Sequence, residues 1–286
     1  MTTGLEKLVL SFGRRRYKHW EAEKDLKEIN GPFFGVAELV ANFSLGDKLT
    51  SRTGYESACE DFVPDDLEVQ VAGRAFLVTG GKSGIGKATA IEIAKRGGTV
   101  HLVCRDKDGV QGAKGEIIRE SGNQNIFLLI VDLSDPKKIW KFVENFKRKH
   151  KLNVLINNAG CMVNKSKLTE DGLEKNFATN TLDMYILMTA LIPVLEKEHD
   201  PRVASVRLSM PRFHARFRDG LCSVAQGADT VLWLALAPAA SMKPSGRFFL
   251  DWKSAATPLS LARTPSSPAE EEKLSEILEE LAQRFK

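Results

Sequence analysis

The sequence predicts an α/β fold in which helices cover both faces of one parallel sheet. Short apolar runs alternate with amphipathic helical segments from Gly73 to Val206, a pattern typical of strand–helix–strand units with right-handed crossovers. The first apolar run ends in a glycine-rich loop that leads directly into a helix. Together these observations favour a doubly wound sheet.

The first strand is "AFLVTG" (75–80), whose unbroken apolar character indicates burial on both faces. A helix follows over 86–98, stopped by two glycines. The remaining elements up to Val206 are predicted in this order: strand 99–105, a helix through Ile117 and Ile118, strand 125–133, helix 135–150, strand 153–160, a long helix from about Leu173 to Glu198, and a fifth strand at Val203–Val206.

The end of the chain predicts a helix, a strand and a helix. "AQGADTVLWLAL" has the first helical pattern and "GRFFLDWK" has a strand pattern. The last helix begins with Ser267 as N-cap, Pro268 in the first turn and Glu270 closing a capping box. Its apolar stripe consists of Leu274, Ile277, Leu278, Leu281 and Phe285.

Two regions are predicted along the chain. Residues 1–72 are interpreted as an N-terminal extension of low order, because their two short amphipathic stretches are separated by the breaker cluster "NGPFFG". Residues 73–286 are assigned to the α/β domain.

Composition limits the classes of function. The 286 residues carry 41 basic and 37 acidic side chains, a balance that argues against a nucleic-acid partner. The cysteines lie far apart without a CxxC pair, which favours free thiols in a reducing compartment over disulfides or a metal site: Cys59, Cys104, Cys161 and Cys222. No apolar stretch approaches the roughly 18 residues of a membrane span, and no signal core precedes the domain. We therefore expect an intracellular, cytoplasmic protein without a transmembrane segment.

The loop "TGGKSGIG" (79–86) is the motif that most directly indicates a ligand. Its glycines allow a tight turn and a close approach of the backbone to a pyrophosphate, while the following helix directs its N-terminus at the phosphates. The sequence thus predicts a Rossmann-like dinucleotide site that includes Gly80, Lys82, Ser83, Gly84, Ile85 and Gly86.

The end of the second strand selects between the two nicotinamide cofactors. An acidic side chain there binds the ribose 2′-OH of NAD, whereas an arginine accommodates the 2′-phosphate of NADP. The chain has "CRDK", with Arg105 19 residues after Gly86, and Lys82 adds a second cation. This favours NADP(H) over NAD(H), although a shift of one residue to Asp106 would reverse the choice.

The spacing Thr-Gly-x-x-x-Gly-x-Gly resembles that of the short-chain dehydrogenase/reductase family, and "HKLNVLINNAGCM" and "TEDGLEKNFATN" resemble its retinol-dehydrogenase-like branch. The resemblance covers roughly residues 52–286 and implies a role for each matching position. Asn158, Ala159 and Gly160 of "NNAG" line the cofactor cleft and stabilise the sheet, Asp132 and Leu133 contact the adenine, and Asn180 holds a proton-relay water. Taken singly, Asp132 fits a helix cap and Asn180 a solvated polar position equally well.

The family's catalytic serine and Tyr-x-x-x-Lys are not found. Spacing i, i+4 places that tyrosine and lysine on one helix face, but Tyr17, Tyr55 and Tyr185 are followed four residues later by Glu, Cys and Thr. After the fifth strand the chain continues as "RLSMPRF", with arginine where the serine should stand. We therefore predict an internal deletion after Val206, as from splicing, that removes the sixth strand and the catalytic helix and leaves Asn180 as the remnant of the catalytic set.

Three interpretations of function follow. The resemblance implies an NADP(H)-dependent oxidoreductase of an unidentified carbonyl or alcohol, here catalytically impaired. The alternatives are a nucleotide-binding module without catalysis and an unstable product without function. The deletion also predicts that the sheet either exposes the edge of its fifth strand or takes in "GRFFLDWK" there, and it leaves the oligomeric state open.

Overall fold

A computed structural model describes residues 52–163, 165–206, 222–255 and 267–286. The elements in chain order are α1 (Arg52–Ala58), β1 (Ala75–Thr79), α2 (Gly84–Lys95), β2 (Thr99–Cys104), α3 (Lys107–Ser121), β3 (Ile126–Ile130), α4 (Pro136–Lys149), β4 (Val154–Asn157), α5 (Lys175–Leu195), β5 (Arg202–Ser205), α6 (Val224–Leu236), α7 (Pro238–Ser241), β6 (Phe248–Leu250), β7 (Lys253–Ala255) and α8 (Pro268–Arg284). The predicted alternation of strands and helices is confirmed.

The main sheet has five parallel strands in the order β3-β2-β1-β4-β5. Phe76 in β1 lies beside Val100 of β2 and Val154 of β4. All five residues of β1 and all four of β4 are buried, as continuous apolar strands in a parallel sheet require. The prediction of a doubly wound parallel sheet is confirmed.

Helices cover both faces of this sheet. On one face α2, α3 and α6 pack over a core that includes Phe76, Ile93 and Leu236. On the other face α4, α5 and α8 pack over a core that includes Leu155, Phe146 and Ile186. The two cores place the carboxyl ends of β1 and β4 between two helical layers.

The helix α5 is long and apolar. It runs from Lys175 to Leu195 with a π-helical turn at Ala178–Leu182. Among the described residues it is the one helix long and apolar enough to cross a membrane, and 61% of its most apolar window is buried within the protein. Because it forms the middle of a core layer, this length and composition are weak evidence for a membrane span.

The last helix begins as predicted. The Ser267 hydroxyl accepts a hydrogen bond from the Glu270 amide, and the Glu270 carboxylate accepts one from the Ser267 amide. Leu278 and Phe285 are buried, and Leu274 and Leu281 pack against the same core. The indole Nε1 of Trp140 donates to the carbonyl of Ala282 at 2.9 Å, which fixes the end of α8 against α4.

The prediction of one strand over "GRFFLDWK" is wrong. Phe248–Leu250 and Lys253–Ala255 form an antiparallel hairpin that is separate from the main sheet. The chain reverses at Asp251 and Trp252, which have φ angles of 48° and 62°, so a single extended strand cannot continue through them. Within the described ranges no strand pairs with the outer edge of β5.

Residues 52–72, assigned with 1–51 to an extension of low order, fold against the end of the domain. Phe62 stacks on Trp252 with ring centroids 4.2 Å apart. The indole of Trp233 in α6 donates to Asp66 at 2.8 Å. Residues 1–51 and the segment "RLSMPRFHARF" lie outside the described residues.

Candidate functional site

The candidate site lies at the carboxyl end of β1, where this strand meets the loop that follows β4. The hydroxyl of Thr79 accepts hydrogen bonds from the amides of Asn158 (2.9 Å) and Ala159 (2.8 Å). The side chain of Asn158 donates back to the carbonyls of Thr79 (2.9 Å) and Gly80 (3.4 Å). Because Thr79 and Asn158 are buried, these bonds fix the two loops to each other.

Gly80 and Gly86 of the loop 79–86 are required by close contact. A Cβ on Gly86 would lie 2.4 Å from the Asn158 Nδ2 and 2.8 Å from the Gly80 carbonyl oxygen. Gly80 has φ +68°, and a Cβ there would lie 3.0 Å from the Ala159 Cα. The loop therefore packs tightly against the β4 loop on this side.

The other side of the loop is open. A Cβ on Gly84 would meet nothing within 4 Å, and Lys82 and Ser83 are exposed. Ser83 is the N-cap of α2, but its side chain makes no capping hydrogen bond. The first amides of α2 thus keep the donors and positive dipole end that bind a phosphate. Ile85 is half-buried and packs with the core on the α2 side.

The charges at the end of β2 form an ion pair. The Lys82 ammonium lies 2.7 Å from Oδ2 of Asp106, whose Oδ1 accepts from the Gly109 amide and caps α3. The pKa of Asp106 is held below its usual value chiefly by the hydrogen bond from Lys82. Arg105 is exposed and has no ion-pair partner within the described part of the chain. Both predicted cations are therefore placed at the same edge of the sheet.

Asp132 and Leu133 follow β3. Asp132 accepts hydrogen bonds from the amide and the hydroxyl of Ser134, at 3.0 and 2.8 Å. Burial raises the pKa of Asp132, but the two bonds from Ser134 outweigh this and keep the pKa below its usual value. Leu133 is buried. Asp132 thus braces a turn, while Asp135 caps α4.

Asn180 binds protein backbone with both ends of its amide. It accepts from the Cys161 amide and donates to the Cys161 carbonyl, each at 2.8 Å. One turn earlier, Asn176 makes the same pair of contacts with Val163, at 2.7 and 3.1 Å. The two asparagines hold the loop that follows Gly160, and Asn180 sits in the π-helical turn of α5. Sequence reasoning missed Asn176, although its spacing of four from Asn180 was a signal.

The two described tyrosines are engaged away from this edge. The Tyr185 hydroxyl donates to Glu279 of α8 at 2.7 Å, and Tyr55 hydrogen-bonds to Asp229. Burial and these carboxylates raise both tyrosine pKa values above their usual range. Ser205 ends β5, and its hydroxyl oxygen lies 3.4 Å from the Asn157 Nδ2. The Oδ1 of Asn157 is buried without a hydrogen-bond partner among the described residues.

Comparison with known proteins agrees with this geometry. Residues 74–210 match the short chain dehydrogenase family. Dehydrogenase/reductase SDR family member 12 of Bos taurus is 61% identical over an alignment of 308 residues that takes in 85% of this chain and 97% of that protein. Its Homo sapiens counterpart is 59% identical with the same coverage. A solved Escherichia coli CFT073 protein classed as a short chain dehydrogenase is 19% identical, with a TM-score of 0.50 over 65% of this chain and 97% of that one, which shows the shared fold.

Proposed function

Because the chain belongs to the short-chain dehydrogenase/reductase family, whose members bind nicotinamide cofactors, we propose that it binds NADP(H) through residues 73–160 and transfers hydride poorly. One observation carries the binding half of this proposal. The glycine loop packs tightly against Asn158 on one side, whereas nothing lies within 4 Å of a Cβ on Gly84 on the other side. There the first amides of α2 have no side-chain cap and can donate to a phosphate.

The preference for NADP(H) rests on the charges after β2. Asp106 is the acid that would take the ribose 2′-OH of NAD, but both of its oxygens are already bound, one by Lys82 and one by the Gly109 amide. Arg105 next to it is exposed. A 2′-phosphate would therefore meet the exposed Arg105 beside the Lys82–Asp106 ion pair, whereas a ribose diol would meet an occupied carboxylate.

Impaired chemistry is supported by the tyrosines. A general acid for a carbinol oxygen needs a pKa near the working pH, and a lysine one turn on would lower it. Burial and carboxylates raise the pKa of Tyr55 and of Tyr185 instead, and neither has a lysine at the fourth position. Tyr17 lies outside the described residues and has Glu21, not a lysine, at the fourth position after it. Loss of a general acid costs about 10²- to 10⁴-fold in rate.

Alignment lengths support an internal deletion as the origin of this loss. The alignment to the bovine relative is 308 residues long, and 85% of 286 residues is about 243, so about 65 aligned positions have no counterpart in this chain. The family match ends at residue 210, just beyond β5. A transcript that contains an extra segment between Val206 and Arg207 is the expected finding. Continuous genomic coding across that junction, with no intervening exon, would contradict the deletion.

Thermal unfolding with and without cofactor tests the binding. NADPH should raise the midpoint, because a ligand that binds only the folded state adds about 2.7 kcal/mol at a hundred times its dissociation constant. NADH should raise it less. Arg105→Ala, at an exposed position, should reduce the NADPH shift and leave the NADH shift unchanged. A cooperative transition that neither cofactor moves, or one that NADH moves more, would refute the assignment.

A pair of glycine variants locates the site. Gly86→Ala should abolish the NADPH shift, since its Cβ would displace Asn158. Gly115→Ala in α3 is the matched control, because a Cβ there meets nothing within 4 Å. Carbonyl reduction with NADPH should be at least about 100-fold slower than by a family member that carries the serine and the Tyr-x-x-x-Lys, and equal rates would refute the impairment. The cytoplasmic location expected from four free cysteines stays a prediction for cell fractionation.

A further inference from the structure

A groove, called here the α4–α8 groove, lies between α4 and the end of α8. It has a volume of about 490 Å³ and is lined by Lys137, Trp140, Lys141, Glu144, Arg284, Phe285 and Lys286. Trp140 and Phe285 are buried, so they form its floor. Lys141, Arg284 and Lys286 are exposed and form its rim. The groove is therefore apolar at its base and basic at its edge.

Aromatic rings hold two of the basic side chains at the rim. The Lys286 ammonium lies 4.9 Å from the centroid of the Trp140 ring. The Arg284 guanidinium lies 5.8 Å from the centroid of the Phe285 ring. A cation above an aromatic face is held in place, but its charge is not neutralised. Both positive charges therefore remain available to an anion.

The acidic groups around the groove are already bound to other lysines. Glu144 is the one acidic residue that lines it, and the Lys147 ammonium binds Glu144 at 3.0 Å. Asp171 is bound by Lys137. Three basic side chains of the rim form no ion pair within the described part of the chain: Lys141, Arg284 and Lys286. The charge of the rim therefore favours an anionic ligand.

The shape of the groove selects the kind of anion. Sites for small molecules enclose most of the ligand surface, whereas the exposed rim leaves this groove open on its outer side. A flat anionic surface would meet the rim but not the floor, because Trp140 and Phe285 are only 7% and 9% exposed. A peptide segment reaches both, since one bulky side chain can enter the groove while its neighbours stay at the rim.

We propose that the α4–α8 groove binds an acidic segment of a partner protein. A bulky apolar side chain of that segment lies on Trp140 and Phe285, and the flanking carboxylates pair with Lys141, Arg284 and Lys286. The groove shares no residue with the candidate cofactor site, so this binding does not require NADPH. Because charge supplies much of the attraction, binding weakens as salt is added.

Fluorescence polarisation with a labelled peptide tests the proposal on the full chain. The probe is a short peptide of Asp and Glu residues around one central Phe. Its dissociation constant should lie below about 100 µM in about 50 mM salt and rise at least about tenfold in about 500 mM salt. Lys141→Glu and Lys286→Glu should each weaken binding at least about tenfold. Both positions are exposed, so thermal melts should keep the wild-type midpoint.

Lys243→Glu is the matched control, because it changes the net charge by the same amount. Lys243 is exposed and follows α7, which continues from α6 on the opposite face of the sheet, so its reversal should leave binding unchanged. A second peptide, with Ser in place of Phe, should bind at least about fivefold more weakly, since it leaves the apolar floor uncovered. Equal weakening by Lys243→Glu, or equal affinity of the two peptides, would show a general attraction of charges and overturn the proposal.

Two further measurements distinguish other occupants of the groove. Co-sedimentation with phosphatidylserine vesicles that depends on Lys141, without binding of the peptide, would assign the groove to a lipid surface. Self-association that Lys141→Glu abolishes, again without binding of the peptide, would assign it to a second copy of the chain. Either result overturns the proposal, as does a folded wild-type chain that leaves the polarisation of the Phe peptide unchanged at low salt.

Discussion

Every residue of β1 and β4 is buried, whereas in β5 only Ala204 is. The first region, β1 to β4 with α2 to α4, is the nucleotide half of the molecule. The second, β5 with α6 and the β6–β7 hairpin, is the open half. The nucleotide half is closed by buried side-chain bonds between its loops, and β1, β2 and β4 have strand partners on both sides, while β3 forms the other edge of the sheet. The open half ends in a strand with a free edge among the described residues.

In the open half, α6 packs in the apolar core beside α2 and α3, and polar bonds join α6 to β5 and to the hairpin. The Arg202 guanidinium donates to the carbonyls of Leu234 (3.1 Å) and Ala237 (2.8 Å) at the end of α6. Trp252 of the hairpin donates to Asp229 of α6 at 2.7 Å. The deletion proposed after Val206 would leave the nucleotide half intact and would fall on the open half.

The largest effect is expected from the hydrogen bonds that join the loops after β1 and β4 in the nucleotide half. Thr79→Val keeps the shape of the side chain but removes the oxygen that accepts the amides of Asn158 and Ala159. One buried and one partly buried donor lose their partner, at about 1–3 kcal/mol each, so we expect a loss of about 2–6 kcal/mol in the free energy of unfolding by urea titration.

Thr89→Val is the matched control for that change. The Thr89 hydroxyl is equally buried but donates to the Ile85 carbonyl within its own helix. Its loss should cost less than about 1 kcal/mol. Equal effects of the two substitutions would mean that the bonds between the two loops contribute no more to stability than a hydrogen bond within one helix.

Acidification is expected to act in opposite directions on the two halves, with a smaller effect. Burial, and then the neighbouring His150, lower the pKa of His101 in β2 from 6.5 to about 4. Protonation therefore favours the unfolded chain, and the stability contribution that is complete above pH 6.5 is lost as the pH falls toward 4. Burial raises the pKa of Asp229 in the open half, so protonation there favours the folded state.

Urea titrations at about pH 7.5 and pH 5 measure this dependence. Between these pH values the free energy of unfolding should fall by about 1–2 kcal/mol more in the wild-type chain than in His101→Leu. His199→Leu, at an exposed position, should keep the wild-type dependence. A His101→Leu variant with unchanged pH dependence would show that the buried imidazole does not weaken the nucleotide half in acid.

The two halves also differ in how far the sequence predicted them. Continuous apolar strands and a glycine loop have local signatures, so β1 to β4 and the loop were predicted to within a few residues. The hairpin was missed because its turn residues, Asp251 and Trp252, carry no glycine signal for their positive φ angles. The bonds from Thr79 to Asn158 and from Lys82 to Asp106 join residues 79 and 24 positions apart. No periodicity of the sequence reports such contacts.

The smallest effect is expected at Ser205, the hydroxyl at the end of the open half nearest to where the family's serine would stand. Its oxygen lies 3.4 Å from the Asn157 Nδ2, beyond the 2.7–3.2 Å typical of such bonds. Ser205→Ala should therefore change the free energy of unfolding by less than about 0.5 kcal/mol and leave the NADPH-induced shift in midpoint unchanged. A loss of residual aldehyde reduction in Ser205→Ala, with both other readouts unchanged, would identify Ser205 as a substitute for the missing serine. In that case β5 would contribute a side chain to the reaction, and the active site would be formed by residues of both halves.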